Sequence, residues 1–291
     1  ENPYSELHCR RTGAGLMPTR LRAFAQQLAS LRVPGSISLV QDNSTGIARL
    51  TLQNVERRNS LSGPMMCQLG EAVRSVETWE DGRVLLLSGE GGHFCSGADL
   101  GTVRQAIDTP ERGALMSQLM TDTLNRLRNL PLLSIAAIDG AAVGGGAELC
   151  IATDLRVLSL NATIQFVHTR LGAAPGWGGA ARLTQEIGRS SALRLLLLAE
   201  KLDVEAIMRL GLAHACGHEG ESASDVAMRT IITPSLEASA SVDSMRAIKG
   251  QVAATSTIPD SVLREQTWLF SPLWGVGANR KAVGGTGDTR S

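Results

Sequence analysis

Glycine and an acidic residue meet at one point of this chain in a way that suggests chemistry. Residues 135–154 run as an apolar segment, a turn at Asp139-Gly140, the triplet Gly144-Gly145-Gly146, and then Ala147 and Glu148. The pattern predicts a strand, a tight turn and a helix opening at about Gly146. Glycine at such a junction lets the backbone come very close to a bound group. The unpaired N–H groups of the first helical turn favour an acceptor that carries or develops negative charge. Glu148 falls in that first turn, so a carboxylate stands beside the donor pocket. A donor pocket for an oxyanion with an acid–base group next to it suits reactions at a carbonyl. Similar junctions also bind nucleotide phosphates, and some serve only close packing. A dinucleotide site needs G-x-G-x-x-G opening the helix and an acidic residue about 20 positions on. The triplet followed by Ala147-Glu148 lacks that spacing.

A second stretch repeats the grammar. The apolar segment 83–88 leads into Gly89-Glu-Gly-Gly-His-Phe-Cys-Ser-Gly-Ala98-Asp99-Leu100, which predicts a buried strand, a glycine loop and a helix turn near Ala98. Two such units can aim one N–H each at a single oxygen, the architecture of an oxyanion hole. A third glycine-rich loop, from Val167 and His168 through Pro175, Trp177, Gly178 and Gly179, leads into a helix carrying Arg182 and Leu183.

The elements that must hold these loops alternate between strand and helix. Residues 37–40 and 46–53 read as antiparallel strands about an Asp-Asn-Ser-Thr-Gly turn. Residues 55–62 read as a loop with Arg57 and Arg58. A helix follows with Ser62 as N-cap and Met65, Leu69, Val73 and Val76 on one face. Another runs from Thr109 as N-cap and Pro110 to about Asn129, with Leu115, Leu119, Leu124 and Leu127 inward. Short strands are predicted at 155–158, 163–166 and 213–216, and helices at 190–199, 203–210, 234–252 and 259–270. This alternation argues an α/β core, with no break in composition to mark a second domain. The assigned organisation is an amino-terminal extension over 1–35, a core over 36–235, carboxy-terminal helices over 236–283 and a tail over 284–291. A first helix is predicted at about 18–31. Disorder is expected before it and in the Gly/Thr/Asp-rich tail.

Composition removes several function classes. Lys+Arg and Asp+Glu are both 28, so nothing draws the chain to nucleic acid or acidic membrane, and 3% aromatic content is too little for a base-stacking platform. No apolar run reaches the eighteen residues of a spanning helix. Cys9, Cys67, Cys95, Cys150 and Cys216 are scattered, odd in number and without a C-x-x-C pair. That favours free thiols in a reducing compartment and argues against zinc. There is no G-x-S-x-G elbow for a hydrolase. Residues 7–41 contain Arg10, Arg11, Arg20, Arg22 and Arg32 but no acidic residue, as in the remnant of an organelle-targeting segment. The expected compartment is therefore the cytosol, with the mitochondrion as the alternative.

Taken together, Asn59-Ser60-Leu61, Phe94 to Leu100, Asp139 to Leu149 with Asp154, and Pro175 to Leu183 resemble the crotonase (enoyl-CoA hydratase/isomerase) superfamily, in order and spacing, over roughly 36–270. Within it, residues 164–179 and Leu273-Trp274-Gly-x-Gly-Ala-Asn279 are most similar to the ethylmalonyl-CoA decarboxylases. The resemblance implies an α/β fold with a crotonase-like ββα spiral core and a carboxy-terminal helical region used for trimerisation. It implies an acyl-CoA substrate, a homotrimer or hexamer, no cofactor beyond the coenzyme A of the substrate, and no nucleic-acid or membrane partner. By position, the N–H groups of Ala98 and Gly145 would hold the thioester oxygen, and Glu148 matches the first of the two glutamates with which hydratases of this family hold and split water. The second glutamate falls where this chain has His168, Thr169 and Arg170. Without it, syn addition of water loses a proton-handling group. The implied activity is decarboxylation of a 2-substituted malonyl-CoA, ethylmalonyl- or methylmalonyl-CoA. An enoyl-CoA hydratase or isomerase and a non-catalytic acyl-CoA-binding protein are the alternatives. The catalytic candidates are Glu148, Ala98, Gly145 and His168. The substrate-binding candidates are Arg58, Ser60, Asp99, Leu100, Gly144 and Trp177, of which Trp177 could equally be a packed wedge and Asp99 could order its own loop.

Overall fold

The computed structural model describes residues 17–239 and 241–283. The expectations of disorder in the first residues and in the tail lie outside them. Among the described residues nine strands build two sheets. They are β1 (Ser36–Asp42), β2 (Ile47–Gln53), β3 (Val84–Gly89), β4 (Leu133–Ile138), β5 (Ala141–Val143), β6 (Leu155–Leu158), β7 (Thr163–Gln165), β8 (Lys201–Leu202) and β9 (Ala215–Cys216). The larger sheet has the order β1-β2-β3-β4-β6-β9 and the smaller β5-β7-β8. β1 and β2 form an antiparallel hairpin. From β2 through β9 the larger sheet is parallel.

The helices are α1 (Thr19–Ala29), α2 (Gly63–Glu77), α3 (Leu100–Ala106), α4 (Pro110–Arg128), α5 (Gly145–Cys150), α6 (Gly179–Leu198), α7 (Val204–Arg209), α8 (Ala223–Ala227), α9 (Thr233–Ala238), α10 (Val242–Thr255), α11 (Asp260–Phe270) and α12 (Gly277–Ala282). On α2, Met65, Leu69, Val73 and Val76 are fully buried, as their spacing demands. β3 has no polar face: Leu85 and Leu87 enter the main core while Val84 and Leu86 enter a second cluster with Ala223 and Val226 of α8. That explains its unbroken apolar run. Among the described residues no helix is long and apolar enough to cross a membrane.

Several expectations need correction. Ser62 precedes α2 but its hydroxyl caps nothing: Pro64 at the second helical position has no N–H to offer it, and the first amide, that of Gly63, donates instead to Thr102 Oγ1 at 3.1 Å. The helix predicted over 234–252 is two helices. α9 ends at Ala238, Ser239 is extended, and α10 restarts where Ser241 accepts from the Ser244 amide. β5, β8 and α8 were not foreseen; β5 and β8 have only three and two residues, too few for a period to show. Gly188, with φ 77°, kinks α6 between the two helical segments that the pattern separates.

Candidate active site

The two glycine loops meet by register. Leaving β3, the first loop forms a parallel bridge from Cys95 to Ala142 of β5. The Cys95 amide donates to Ala141 O at 3.1 Å, and Cys95 O accepts from the Val143 amide at 2.9 Å. Three residues beyond each bridge partner come Ala98 and Gly145. The loops remain close there: a Cβ on Gly97 would stand 3.1 Å from Gly145 N.

The direction of the Ala98 amide follows from peptide planarity. Gly97 O accepts from the Leu61 amide at 2.7 Å, and the Asp99 amide donates to Leu61 O at 2.9 Å. Carbonyl and N–H of one trans peptide point opposite ways, so the Ala98 N–H is turned away from Leu61. Gly144 O accepts from the Glu148 amide at 3.0 Å, which turns the Gly145 N–H out of the first turn of α5. Among the described residues neither the Ala98 nor the Gly145 amide has an acceptor. Both residues line a cavity of about 550 Å³.

The first loop is pegged by a residue whose importance is not visible in its own segment. Asn59 is fully buried. Its Nδ2 donates to Glu90 O at 2.8 Å and His93 O at 2.7 Å, while its Oδ1 accepts from the Asn54 amide at 2.9 Å. Its φ is 55°, a conformation asparagine tolerates better than most residues. The only signal in the sequence is its membership of the Asn59-Ser-Leu61 motif.

The glycine triplet owes its composition to packing as much as to ligand approach. A Cβ on Gly145 would stand 2.3 Å from the Trp177 ring, and one on Gly146 2.0 Å from Cys95 O. Gly144 has φ 55°. Trp177, 3% exposed, is thus both cavity wall and wedge.

Glu148 is 1% exposed. Its Oε2 accepts from the amides of Trp177 at 2.9 Å and Gly179 at 2.8 Å, and its Oε1 accepts from the Gly176 amide at 3.3 Å. His168 Nε2 lies 3.0 Å from the same Oε1. The third glycine loop therefore wraps the carboxylate, and a Cβ on Gly179 would collide with it at 2.5 Å. Beneath the loop, Arg182 is fully buried and donates from Nη1 to Trp177 O at 2.5 Å. Burial pulls its guanidinium down to about 10 against the opposing pull of the Glu148 carboxylate. Three amide donors, the adjoining His168 ring and a buried cation make this a heavily supported carboxylate. The amides have no residue-type signature, so only the glycines of the loop betray them.

All ten residues singled out in the sequence line this one cavity: Ala98, Gly145, Glu148, His168, Arg58, Ser60, Asp99, Leu100, Gly144 and Trp177. Their polar atoms are not equally available. Asp99 accepts from the Thr102 amide at 2.7 Å and from Arg57 Nη1 at 2.8 Å, and Ser60 Oγ lies 3.4 Å from the same carboxylate. Burial raises the Asp99 carboxyl, but the Thr102 amide and the Arg57 guanidinium outweigh it and hold it below the ordinary range. Asp99 thus orders its own loop. Sequence reasoning missed the carboxy-terminal wall: Phe270, Trp274, Asn279 and Val283 line the cavity too. A larger cavity of about 860 Å³ lies beside α10. Its charged side chains pair with one another, Lys249 with Asp154 and Arg128 with Glu186.

The enoyl-CoA hydratase/isomerase family pattern matches residues 42–263. The ethylmalonyl-CoA decarboxylase of Gallus gallus is 42% identical over 251 residues, covering 86% of this chain and 83% of that protein. That of Xenopus laevis is 39% identical over 252 residues, covering 86% and 82%. Among solved structures, an enoyl-CoA hydratase from Mycobacterium avium subsp. paratuberculosis K-10 superposes with a TM-score of 0.74. It is 21% identical, with 87% of this chain and 99% of that one covered, a likeness of fold.

Proposed function

Because the chain belongs to the enoyl-CoA hydratase/isomerase family, with a crotonase fold, we propose that it decarboxylates a 2-substituted malonyl-CoA, with ethylmalonyl-CoA and methylmalonyl-CoA as the substrates. The names of the relatives support the substrate class. One observation carries the reading: the partner of Glu148 across the cavity is His168, 3.0 Å away, and not a second carboxylate. A pair of glutamates suits the handling of a neutral enoyl thioester and water. Beside a substrate that is itself a carboxylate, a second glutamate would add repulsion in a poorly screened site, whereas an imidazole does not.

In the proposed reaction the bond between the alpha carbon and the carboxylate breaks. Its electron pair passes through the alpha carbon to the thioester oxygen, carbon dioxide leaves, and an enolate remains. The amides of Ala98 and Gly145 meet charge that exists only as that bond breaks, so they bind the transition state better than the substrate. Each such donor contributes about 2.7–4 kcal/mol. The Glu148–His168 pair then supplies the proton that the alpha carbon takes up. Trp177 walls the site so that the departing carboxylate is poorly hydrated. Arg58 at the mouth suits a coenzyme A phosphate. The thioester is itself the electron sink, so the reaction calls on no metal or prosthetic group.

The chain is proposed to work as a homotrimer or hexamer. Leu193 and Leu197, one turn apart on α6, and Trp268 and Leu269 on α11 are exposed, and large apolar side chains left on a surface suit association. The free thiols of Cys67, Cys95, Cys150 and Cys216 suit a reducing compartment, proposed to be the cytosol.

The test is a panel of ethylmalonyl-, methylmalonyl- and crotonyl-CoA followed by mass spectrometry. Loss of carbon dioxide from the malonyl thioesters is the expected result. Hydration of crotonyl-CoA with no loss of carbon dioxide from either malonyl ester would make it a hydratase. Binding of all three without turnover would make it an acyl-CoA-binding protein. Light scattering after gel filtration reads the assembly, and a monomer would refute that part.

A further inference from the structure

Among the described residues the His168 ring has one hydrogen-bond partner: Nε2 meets Glu148, while Nδ1 is buried and has none. Side-chain partners on both nitrogens usually fix the tautomer and tilt of a working imidazole. Here the ring's placement falls to the backbone that carries it, the 3-10 turn His168–Leu171.

That turn is fastened from outside the core. Asn279 of α12 is 1% exposed. Its Nδ2 donates to Leu171 O at 2.9 Å, and its Oδ1 accepts from the Gly275 amide at 2.8 Å. The turn ends at Gly172, with φ 62°, where a Cβ would stand 2.6 Å from Asn279 N. The carboxy-terminal strap that carries Asn279, residues 271–283, is also tied to the other side of the site. Trp274 Nε1 donates to Ile107 O at 2.8 Å, just past α3. Arg104 on α3 donates from Nε to Val283 O at 2.7 Å. α3 begins two residues after Ala98. The strap therefore spans from the helix behind the Ala98 amide to the turn that holds His168.

We infer that Asn279 is a positioning residue for the reaction, acting through the Leu171 carbonyl to hold His168 against Glu148. This rests on the decarboxylase reading for its kinetic test but not for its spectroscopic one. Asn279→Asp is the diagnostic substitution. It keeps the acceptor for the Gly275 amide and the shape of the side chain, and it replaces the donor to Leu171 O with an oxygen. A 1 Å displacement of a proton-handling group is worth up to about a hundredfold in rate.

Expected for Asn279→Asp is a fall in kcat of about tenfold to a hundredfold with KM changed little. In a His168→Ala background the same substitution should have almost no further effect, since its action runs through the imidazole. Gly172→Ala pushes on the same end of the turn, against the backbone of Asn279, and should give the same kcat-selective loss if Asn279→Asp does not fold. In protein labelled with ¹⁵N-histidine, the His168 ring resonances, assigned by their absence in His168→Ala, should shift in Asn279→Asp or Gly172→Ala. Normal kcat in Asn279→Asp, or losses that multiply fully in the double variant, overturns the inference. If the wild-type chain releases no carbon dioxide the decarboxylase reading fails instead, and the ring resonances still decide the inference: unmoved, they refute it.

Discussion

Glu148 and His168 share a hydrogen-bonding distance of 3.0 Å across the cavity, yet they are held by unrelated parts of the chain. Glu148 is fixed by the amides of Gly176, Trp177 and Gly179. His168 sits on a turn latched by Asn279. His168 opens the third glycine loop and the three amides close it, so Glu148 meets both ends of that loop, one of them latched by the carboxy-terminal strap, and the geometry of the pair reports on both.

Replacing Glu148 by Ala should lower turnover by about 10²–10⁴-fold, the usual worth of a positioned acid–base group. Acyl-CoA affinity, read by calorimetry with a non-reactive thioester analogue, should stay within a few-fold, because no coenzyme A contact is lost. The variant should also unfold at lower temperature, since three amides lose their acceptor. Near-normal turnover would remove Glu148 from the reaction.

Gly145→Ala tests why the triplet is glycine. The added methyl would enter the Trp177 ring, and overpacking of that kind destabilises by about 1–3 kcal/mol. In a Trp177→Leu background the same substitution should be nearly neutral. Four urea melts measure the coupling. Equal losses in both backgrounds would mean that Trp177 is not what excludes the methyl. Gly145→Pro, by contrast, deletes the N–H itself and should lower kcat by about 10²–10³-fold.

What was readable in the sequence divides along the range of the interactions. α2 and α4 were legible because their burial follows a local period, and β3 because an unbroken apolar run marks a strand covered on both faces. The Ala98 and Gly145 loops were legible because a tight turn and a free amide leave glycine behind. The features that hold those loops in place were not. Asn59 reaches Glu90 and His93, 31 and 34 residues away. Asn279 reaches Leu171 over 108. An asparagine that braces a distant carbonyl looks like any other asparagine. β5 escaped because three residues show no period, although it is the strand that puts Gly145 level with Ala98.

Asn59→Ala should destabilise by about 3 kcal/mol, because it breaks one buried and two part-buried hydrogen bonds and leaves two carbonyls and an amide without this partner. Its effect on rate should exceed its effect on binding, since the loop it pegs carries the Ala98 amide. Equilibrium denaturation and a kcat–KM pair on the same preparation check both. A stability loss with kcat untouched would show that the Ala98 loop keeps its place without the peg.

Acid should act on the site through Asp99. The Thr102 amide and the Arg57 guanidinium hold this carboxyl below its ordinary 3.8, against the upward pull of burial. A depressed folded value means that the unfolded chain binds the proton more readily. Stability from this group is therefore complete above the unfolded value, near 3.8, and is lost as pH falls through the lower folded one. Asp99→Asn cannot ionise, so its stability should depend less steeply on pH below about 4 than that of the wild type. At pH 7 it should be less stable, having lost the charge that Arg57 meets at 2.8 Å. Paired melts from pH 3 to 7 separate the two effects, and identical pH slopes in both proteins would show that Asp99 titrates alike folded and unfolded.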